Sequence, residues 1–516
     1  MKSFYTILFF IVSLPIWITA QEIPESKVDE VVQKTHESFN VPGIAVGIIH
    51  DGKVVLAKGY GVSSINTGKK INSETNFGIA SNSKAFTTTA LALLVDQKKL
   101  DWDDKVKKYI PEFKMYNEYV TEEFTIRDLL THRSGLGLGA GDLMVWPDGH
   151  NFTPEDIIRN IQHLKPVSGF RTKYDYDNLL YIIAGEVIER VSGLSWTTFI
   201  EQNFLIPLEM NRTGASWNVL KDKSNVIDPH VPVDGKLKVI DRYTNSIFDA
   251  AAGLYSNVDD LAKWVQFQLN YGKTHKGEQL VSEKQMRQLT RPQTLLPNVT
   301  REPYNTLFRA YGLGFHLQDV NGKLEVSHTG GLEGIVTQIV MYPQLNLGII
   351  VLTNQQAGAA FMAISNSIKD HYLGLSWKDW VDEYKTLIDK RMGDADAITA
   401  EVWNTVEKNI KHKTEYEDSI PGVYTDPWFG DVNISLRNGK LRFESERSSQ
   451  LKGDMFYYKE DSFAVKWDNP YLHADAFVFL EISKGEVKGF KMAPISPMTD
   501  FSYDFQDLDF VKTTDD

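Results

Sequence analysis

The sequence predicts an α+β domain, with one antiparallel sheet flanked by helices and interrupted by an all-helical insertion, followed by a small all-β barrel. Three observations carry this. β-rich runs lie at both ends of the first 373 residues, at 44–50 and 53–61 and again at 324–328, 337–342 and 347–353. The stretch between them, about 205–320, is rich in Pro, Asn, Asp and Gly and holds short helices such as 259–270. After residue 374 the pattern changes to a charged helix and then to short alternating runs.

Each element has a local reason. Residues 1–20 start with Lys2, are apolar over 4–18 and end in Thr19-Ala20, the pattern of a secretory signal cut after Ala20. Pro15 and the short apolar run argue against a permanent spanning helix. Residues 25–39 carry Val28, Val31, Val32 and Phe39 at helical spacing. Asp51-Gly52 joins 44–50 to 53–61 as a hairpin turn. Residues 81–98 predict a helix with Ala85, Thr88, Ala92, Leu93 and Val95 on one side. Residues 125–131 and 179–191 predict two more, the latter stopped by Ser192-Gly193, and 359–373 predict another after the late runs. The charged stretch 377–410 predicts a helical bridge. In the tail, 432–436, 441–443, 455–458, 462–467, 476–482, 487–492 and 501–505 predict short strands of a barrel or sandwich. The chain therefore divides into a signal (1–20), a main domain (21–373), a helical linker (374–413) and a barrel domain (414–516). The tail is expected to fold independently and to shape access to the site without supplying catalytic groups.

Charge and composition narrow the chemistry. The 516 residues include 55 Lys plus Arg, 68 Asp plus Glu and no Cys, for a net charge of −13. An acidic chain offers no electrostatic footprint for nucleic acid or anionic lipid. The absence of Cys excludes disulfides, zinc–thiolate sites, Fe–S clusters and thiol catalysis. No metal or organic cofactor is implied, because His132, near Arg133, and the other histidines lack ligand spacing. Hydroxyl, carboxylate, amine or imidazole chemistry on a small-molecule or peptide substrate remains, with no membrane insertion expected once the signal is removed.

Ser81-Asn82-Ser83-Lys84 is a Ser-x-x-Lys pattern at the start of the 81–98 helix. Positions i and i+3 share a helix face, so the Lys84 amine can reach the Ser81 hydroxyl. The helix start also supplies free N–H groups for a developing oxyanion. Ser81 as an N-cap and Lys84 as a solvated first-turn residue would fit the same pattern. Ser449-Gln450-Leu451-Lys452 matches it too, with no helix after it, and is read as chance. Tyr176-Asp177-Asn178 precedes the 179–191 helix. A tyrosine near an ammonium can be held as phenolate and serve as general base, and Asn178 can orient Lys84 and a substrate amide. Taken alone, Tyr176 fits a packed loop aromatic and Asn178 an N-cap. His328-Thr329-Gly330-Gly331 ends a predicted strand, where glycines let a ligand lie along the edge and the Gly331 N–H can donate to an oxyanion. For His328 taken alone, an ordinary strand-to-turn junction is the favoured reading over catalysis.

Serine, lysine, tyrosine and His-Thr-Gly in this order resemble the serine β-lactamase and penicillin-binding-protein superfamily, in its class C-like branch of β-lactamases, esterases and D-amino-acid peptidases. The supporting blocks are FGIASNSKAFTTTALALLVD, TIRDLLTHRSGL, YDYDNLLYIIAGEVIERVSG, PLEMNRT, AAGLYSNVDDLAKW and HTGGLEG, spread over about 24–373. The tail resembles the lipocalin-like barrel appended to some of these hydrolases. The resemblance implies Ser81 as nucleophile, Lys84 and Tyr176 as its activators, and the N–H groups of Ser81 and Gly331 as the oxyanion hole. Two positions depart from the family pattern. His328 stands where Lys is usual, which weakens the grip on a substrate carboxylate, and Asp177 stands where a small residue is common. The expected function is an exported, periplasmic or secreted serine hydrolase acting on peptide, amide or ester bonds rather than on β-lactams. The alternatives are a non-catalytic sensor of peptide or cell-wall fragments, and a tail that binds lipid or sugar through Trp428, Phe429, Trp467 and Tyr471.

Overall fold

Ile44, Val46 and Ile48 alternate with Ala45, Gly47 and Ile49, so the strand Gly43–His50 is apolar on both faces and must lie inside a covered sheet. The computed structural model describes residues 22–233, 235–298 and 302–513; the signal expected over 1–20 lies outside them. It places this strand second in an eight-stranded antiparallel sheet. The order is Lys53–Gly61, Gly43–His50, Leu347–Thr353, Ile335–Tyr342, Lys323–Leu332, His316–Val320, Arg309–Tyr311 and Thr294–Leu296. Ile44 pairs with Thr353 and His50 with Leu347, so the first strands are completed only by the last ones.

Helices cover both faces. Val28 and Val32 of helix Glu25–Phe39, with Ala360, Ile364 and Ile368 of helix Gly358–Tyr372, pack on Ile44, Val46, Ile48 and Ile349. Helix Val258–Leu269 lies against the opposite face. A Cβ at Gly348 would sit 2.2 Å from Val265 Cγ1, so only glycine lets that helix settle onto the strand. The insertion between the halves of the sheet is helical in the main, with Ser83–Asp96 and Leu179–Ser192 buried at its centre. It also carries a hairpin of His230–Val233 with Lys236–Val239 and a ladder of Phe77–Gly78 with Tyr255–Ser256. Among the described residues no helix is long and apolar enough to cross a membrane.

Helix Trp380–Lys408 bridges to the tail. Its start donates from Trp380 Nε1 to Asp370 (2.6 Å), and its end packs Val402 and Val406 on Ala464 and Ile495. The tail is a closed eight-stranded barrel running from Gly422–Asp426 to Asp509–Lys512, with Tyr424 pairing back to Lys512. Trp428, Phe429 and Trp467, candidates for a ligand pocket, are buried core residues of this barrel. The run 501–505 is not a strand. Its aromatic alternation resembles one, but Phe501, Tyr503 and Phe505 sit in an irregular loop, and Asp504 bonds the main domain instead of a barrel ladder.

Under the sheet, Lys369 Nζ lies 3.1 Å from Glu325, with side-chain exposures of 7% and 5%. Glu325 also accepts from Tyr342 Oη and from Gln318 Nε2 (2.8 Å). Removing one partner of such a pair strands a charge in a dry interior. Lys369→Met is expected to destabilise the main domain by about 3–5 kcal/mol, and the double replacement Glu325→Leu/Lys369→Met by much less. Thermal unfolding of the three proteins checks this; equal losses in the single and double variants would contradict it.

Candidate active site

Ser81 sits on a strained turn. After strand Phe77–Gly78, the Ile79 N–H donates to Leu254 O (2.9 Å) and Ala80 takes φ +49°, a left-handed conformation that costs an alanine about 1–2 kcal/mol. A 3-10 turn, Ala80–Asn82, then feeds helix Ser83–Asp96. The neighbouring strands hold this turn. Thr337 Oγ1 donates to Ile79 O (2.9 Å), and Asn82 Nδ2 donates to Thr337 Oγ1 (2.9 Å). A Cβ at Gly330 would lie 2.2 Å from Ile79 O, so glycine lets the strand lie directly across the turn. Ser81 is left half-buried at the helix start, where backbone N–H groups are free.

Lys84 is fully buried. Its Nζ meets Ser81 Oγ at 3.1 Å, Asn178 Oδ1 at 2.8 Å and Ala251 O at 3.0 Å. Burial pushes its pKa down to about 7, with Asp142 and Asp177 opposing the fall. A neutral amine has two N–H donors and one lone pair. Asn178 Oδ1 and Ala251 O are pure acceptors and take the two donors, which turns the lone pair to the Ser81 hydroxyl. In its neutral form the amine can accept the Ser81 proton, and as an ammonium it donates to Ser81 Oγ. Tyr176 also bonds Ser81, but burial pushes its phenol well above the ordinary range, and Tyr174, Tyr181 and Asp142 add to the rise. Dehydration thus penalises the phenolate that a neighbouring ammonium could hold and favours the phenol.

The turn carrying Tyr176 and Asn178 is built from several sides. Buried His132, at φ +51°, accepts from the Asp177 N–H on Nδ1 (3.1 Å) and packs its ring, tilted by 32°, on Tyr176 with centroids 4.3 Å apart. Gly139 N–H donates to Tyr176 O (2.8 Å). Buried Asp128 pairs with both Arg171 (2.6 Å) and Arg133 (3.3 Å), tying together the loops on which His132 and Tyr176 stand. Asn178 occupies the N-cap position of Leu179–Ser192 but makes no side-chain cap. Its amide bridges instead, accepting from Lys84 and donating through Nδ2 to Asp142 Oδ2 (2.7 Å). Asp177 is buried, which raises its carboxyl to about 7.

His328 and Gly330 are buried, while Thr329 and Gly331 are exposed. His328 Nδ1 contacts Thr329 O (2.6 Å), so it carries the proton, and Nε2 accepts from Tyr311 Oη (3.0 Å). Burial holds the ring neutral, well below its ordinary pKa. His328 is therefore an uncharged strand support and not a cationic contact. Strand Lys323–Leu332 pairs with His316–Val320 only as far as Ser327, so 328–332 form a free edge. On the other side Leu332 pairs with Ile335 across a two-residue turn, and Gly331 pairs with Val336. In such a hairpin the closing pair is hydrogen-bonded and the next is not, which turns the Gly331 N–H and C=O to the free edge. The structure thus assembles Ser81, Lys84, Tyr176, Asn178, Thr329, Gly330 and Gly331 around one cleft. Ser449 lies elsewhere and donates to Gly149 O (2.8 Å), where the barrel meets the main domain. Sequence reasoning missed Asp142, Tyr311 and the barrel residue Ser502, which donates to Asp142 Oδ2 (2.9 Å). Each is a lone polar residue outside any periodic pattern, and no sequence signal marked them.

Comparison with known proteins agrees with this geometry. The Beta-lactamase family model matches residues 28–370, and a domain of unknown function, DUF3471, matches 409–512. Protein flp of Staphylococcus aureus (strain MRSA252) is 29% identical over 337 residues, covering 64% of this chain and 63% of that protein. Unguisins hydrolase ungD' of Aspergillus campestris (strain IBT 28561) is 28% identical over 338 residues, covering 63% of this chain and 60% of that protein. The chain thus matches less than two thirds of the length of these curated relatives. The octameric penicillin-binding protein homologue from Pyrococcus abyssi shares the fold at a TM-score of 0.60 and 22% identity, over 95% of this chain and 100% of that one. With the Beta-lactamase match spanning most of the chain and coinciding with the sheet, the insertion and the cleft, the protein belongs to the beta-lactamase family of serine hydrolases.

Proposed function

We propose that the protein is an exported serine hydrolase that cleaves peptide, amide or ester bonds through a Ser81 acyl-enzyme. The observation that carries this is the Lys84 amine, lowered to about 7 by burial and lying 3.1 Å from Ser81 Oγ, with Asn178 Oδ1 and Ala251 O accepting from it. Ser81 Oγ attacks the substrate carbonyl carbon as its proton passes to Lys84 Nζ. The carbonyl oxygen becomes an oxyanion that the N–H groups of Ser81 and Gly331 receive. On collapse the bond to the leaving group breaks, and the protonated Tyr176 phenol relays a proton to the departing amine or alcohol while Lys84 restores it. Water then repeats the sequence against the acyl carbon and frees Ser81. Peptidase or esterase action is favoured over β-lactam hydrolysis, because neutral His328 offers no charge to a β-lactam carboxylate. The hydrolase among the relatives supports a hydrolytic outcome. Export to the periplasm or beyond rests on the sequence of residues 1–20.

Ser81→Ala is expected to abolish labelling by a small fluorophosphonate, and Ser449→Ala to leave it intact; intact-mass spectrometry reads both. A panel of esters, D-peptides and β-lactams, scored by acyl-enzyme mass, tests the substrate class, and preferential accumulation and turnover of β-lactams would reverse that preference.

The labelling rate is expected to rise with pH through a midpoint near 7, because below the Lys84 pKa the ammonium has no lone pair to take the Ser81 proton. A rate that is flat across about pH 5–9 would remove Lys84 from the role of base. Lys84→Ala and Tyr176→Phe should each slow labelling by about 10²-fold or more, and together cost far less than the product, since both act on one proton. Fully multiplicative losses would show two independent roles.

A further inference from the structure

The loop between barrel strands Glu486–Pro494 and Asp509–Lys512 leaves the barrel and clamps residues 139–143 of the main domain. Asp504 accepts from the Gly141 N–H (2.6 Å) and the Leu143 N–H (3.0 Å). The Phe501 ring stands edge-on to Tyr176 at 5.8 Å, and its carbonyl lies where a Cβ at Gly139 would be 2.6 Å away. Between these two anchors, Ser502 Oγ donates to Asp142 Oδ2 (2.9 Å). From there an unbroken path leads to the nucleophile. Asp142 accepts from Asn178 (2.7 Å), Asn178 accepts from Lys84 (2.8 Å), and Lys84 meets Ser81 (3.1 Å).

The path has a direction. A carboxamide has a donor end and an acceptor end, and only the acceptor end can serve Lys84 Nζ. Turned over, Asn178 would set an N–H₂ against the amine, and the lone pair would lose its aim at Ser81. Asp142 prevents this by presenting an acceptor to Asn178 Nδ2. Asp142 in turn is fixed at Oδ2 by Ser502, while its buried Oδ1 has no partner of its own. Without Ser502 the carboxyl keeps a single hydrogen bond and is free to rotate. Asp504 and Phe501 already hold the loop in place, so Ser502 is not needed for docking.

We propose that Ser502, a barrel residue, is a positioning residue for the Lys84 amine, acting through Asp142 and Asn178, so that full reactivity of Ser81 requires the docked 501–504 loop. This rests on the serine-hydrolase reading above. Lys84 is faced by Tyr176, Asp177 and Asn178 of the turn, Tyr181 of the following helix, His132, His328, Asp142 and the Ala251 carbonyl. Of these, Asp142 and Asp177 hold the Lys84 proton. Burial and the neighbouring Asp177 raise the Asp142 carboxyl well above its ordinary range, and the hydrogen bonds from Asn178 and Ser502 oppose that rise, so losing the Ser502 hydroxyl weakens the negative charge that Asp142 sets against Lys84 and moves the Lys84 midpoint down.

The test is the rate of fluorophosphonate labelling of the full chain against pH. Ser502→Ala is expected to lower the high-pH rate about tenfold, the worth of one orienting hydrogen bond, and to shift the rising limb to lower pH, with the thermal melting curve little changed. In an Asp142→Ala background, adding Ser502→Ala should change nothing further. Wild-type rate and limb in Ser502→Ala, or the same factor lost with and without Asp142, would overturn the proposal. Should Asp142→Ala not fold, a lowered rate with an unmoved limb in Ser502→Ala would assign that serine a merely structural role and overturn it equally. Failure of the wild-type chain to label would overturn the hydrolase reading and the proposal with it.

Discussion

The burial of one amine organises the rest of this molecule. Lys84 is out of water, and an ammonium in such a place is costly unless polar groups replace its hydration. Two fixed acceptors, Asn178 Oδ1 and Ala251 O, do part of this, and the buried carboxyls of Asp142 and Asp177 offset a further part. The remainder lowers the pKa to about 7, which makes the group a base near neutral pH. Each support must be rigid, since a looser shell would admit water and return the lysine to its ordinary basicity. The strand across Ala80, the packed His132 ring and the paired arginines on Asp128 supply that rigidity.

Strain and support are distributed in the same sense. Ala80 is held in a conformation that a free chain avoids, and Thr337, Asn82 and Gly330 keep it there. The cleft edge beyond it is open for five residues because the adjoining strand stops pairing at Ser327. Unpaired strand edges are usually hazards, yet here the edge is short, glycine-bearing and turned to Ser81. The barrel closes the other side. Its interior is filled by aromatic side chains, and its contribution lies in a loop whose Phe501, Ser502 and Asp504 reach the main domain.

Much of this was legible in the sequence, for identifiable reasons. The helix Glu25–Phe39, the hairpin turn at Asp51-Gly52 and the late strands follow from periodicity and turn chemistry, which act over a few residues. Ser81 and Lys84 were found because their contact is set by helix geometry at i and i+3. Whether Tyr176 favours phenol or phenolate was not legible, because the sign of a pKa shift depends on how much water is excluded, and spacing carries no record of that. The 501–505 run was misread as a strand because alternation of Phe501, Tyr503 and Phe505 is produced equally by a docking loop.

The sequence by itself determined the element types, the order of the motifs and the chemical repertoire of the site: a hydroxyl, an amine, a phenol and an amide, with no thiol. These depend on neighbours along the chain and on which atoms are present. Only the tertiary structure decided how far the Lys84 amine is lowered, that His328 supports Tyr311 contacts instead of carrying charge, and that Asp142 bonds a barrel residue 360 positions beyond it. Those outcomes depend on burial and on hydrogen bonds between distant segments, and both come into being only when the two ends of the domain close the sheet and the tail docks against it.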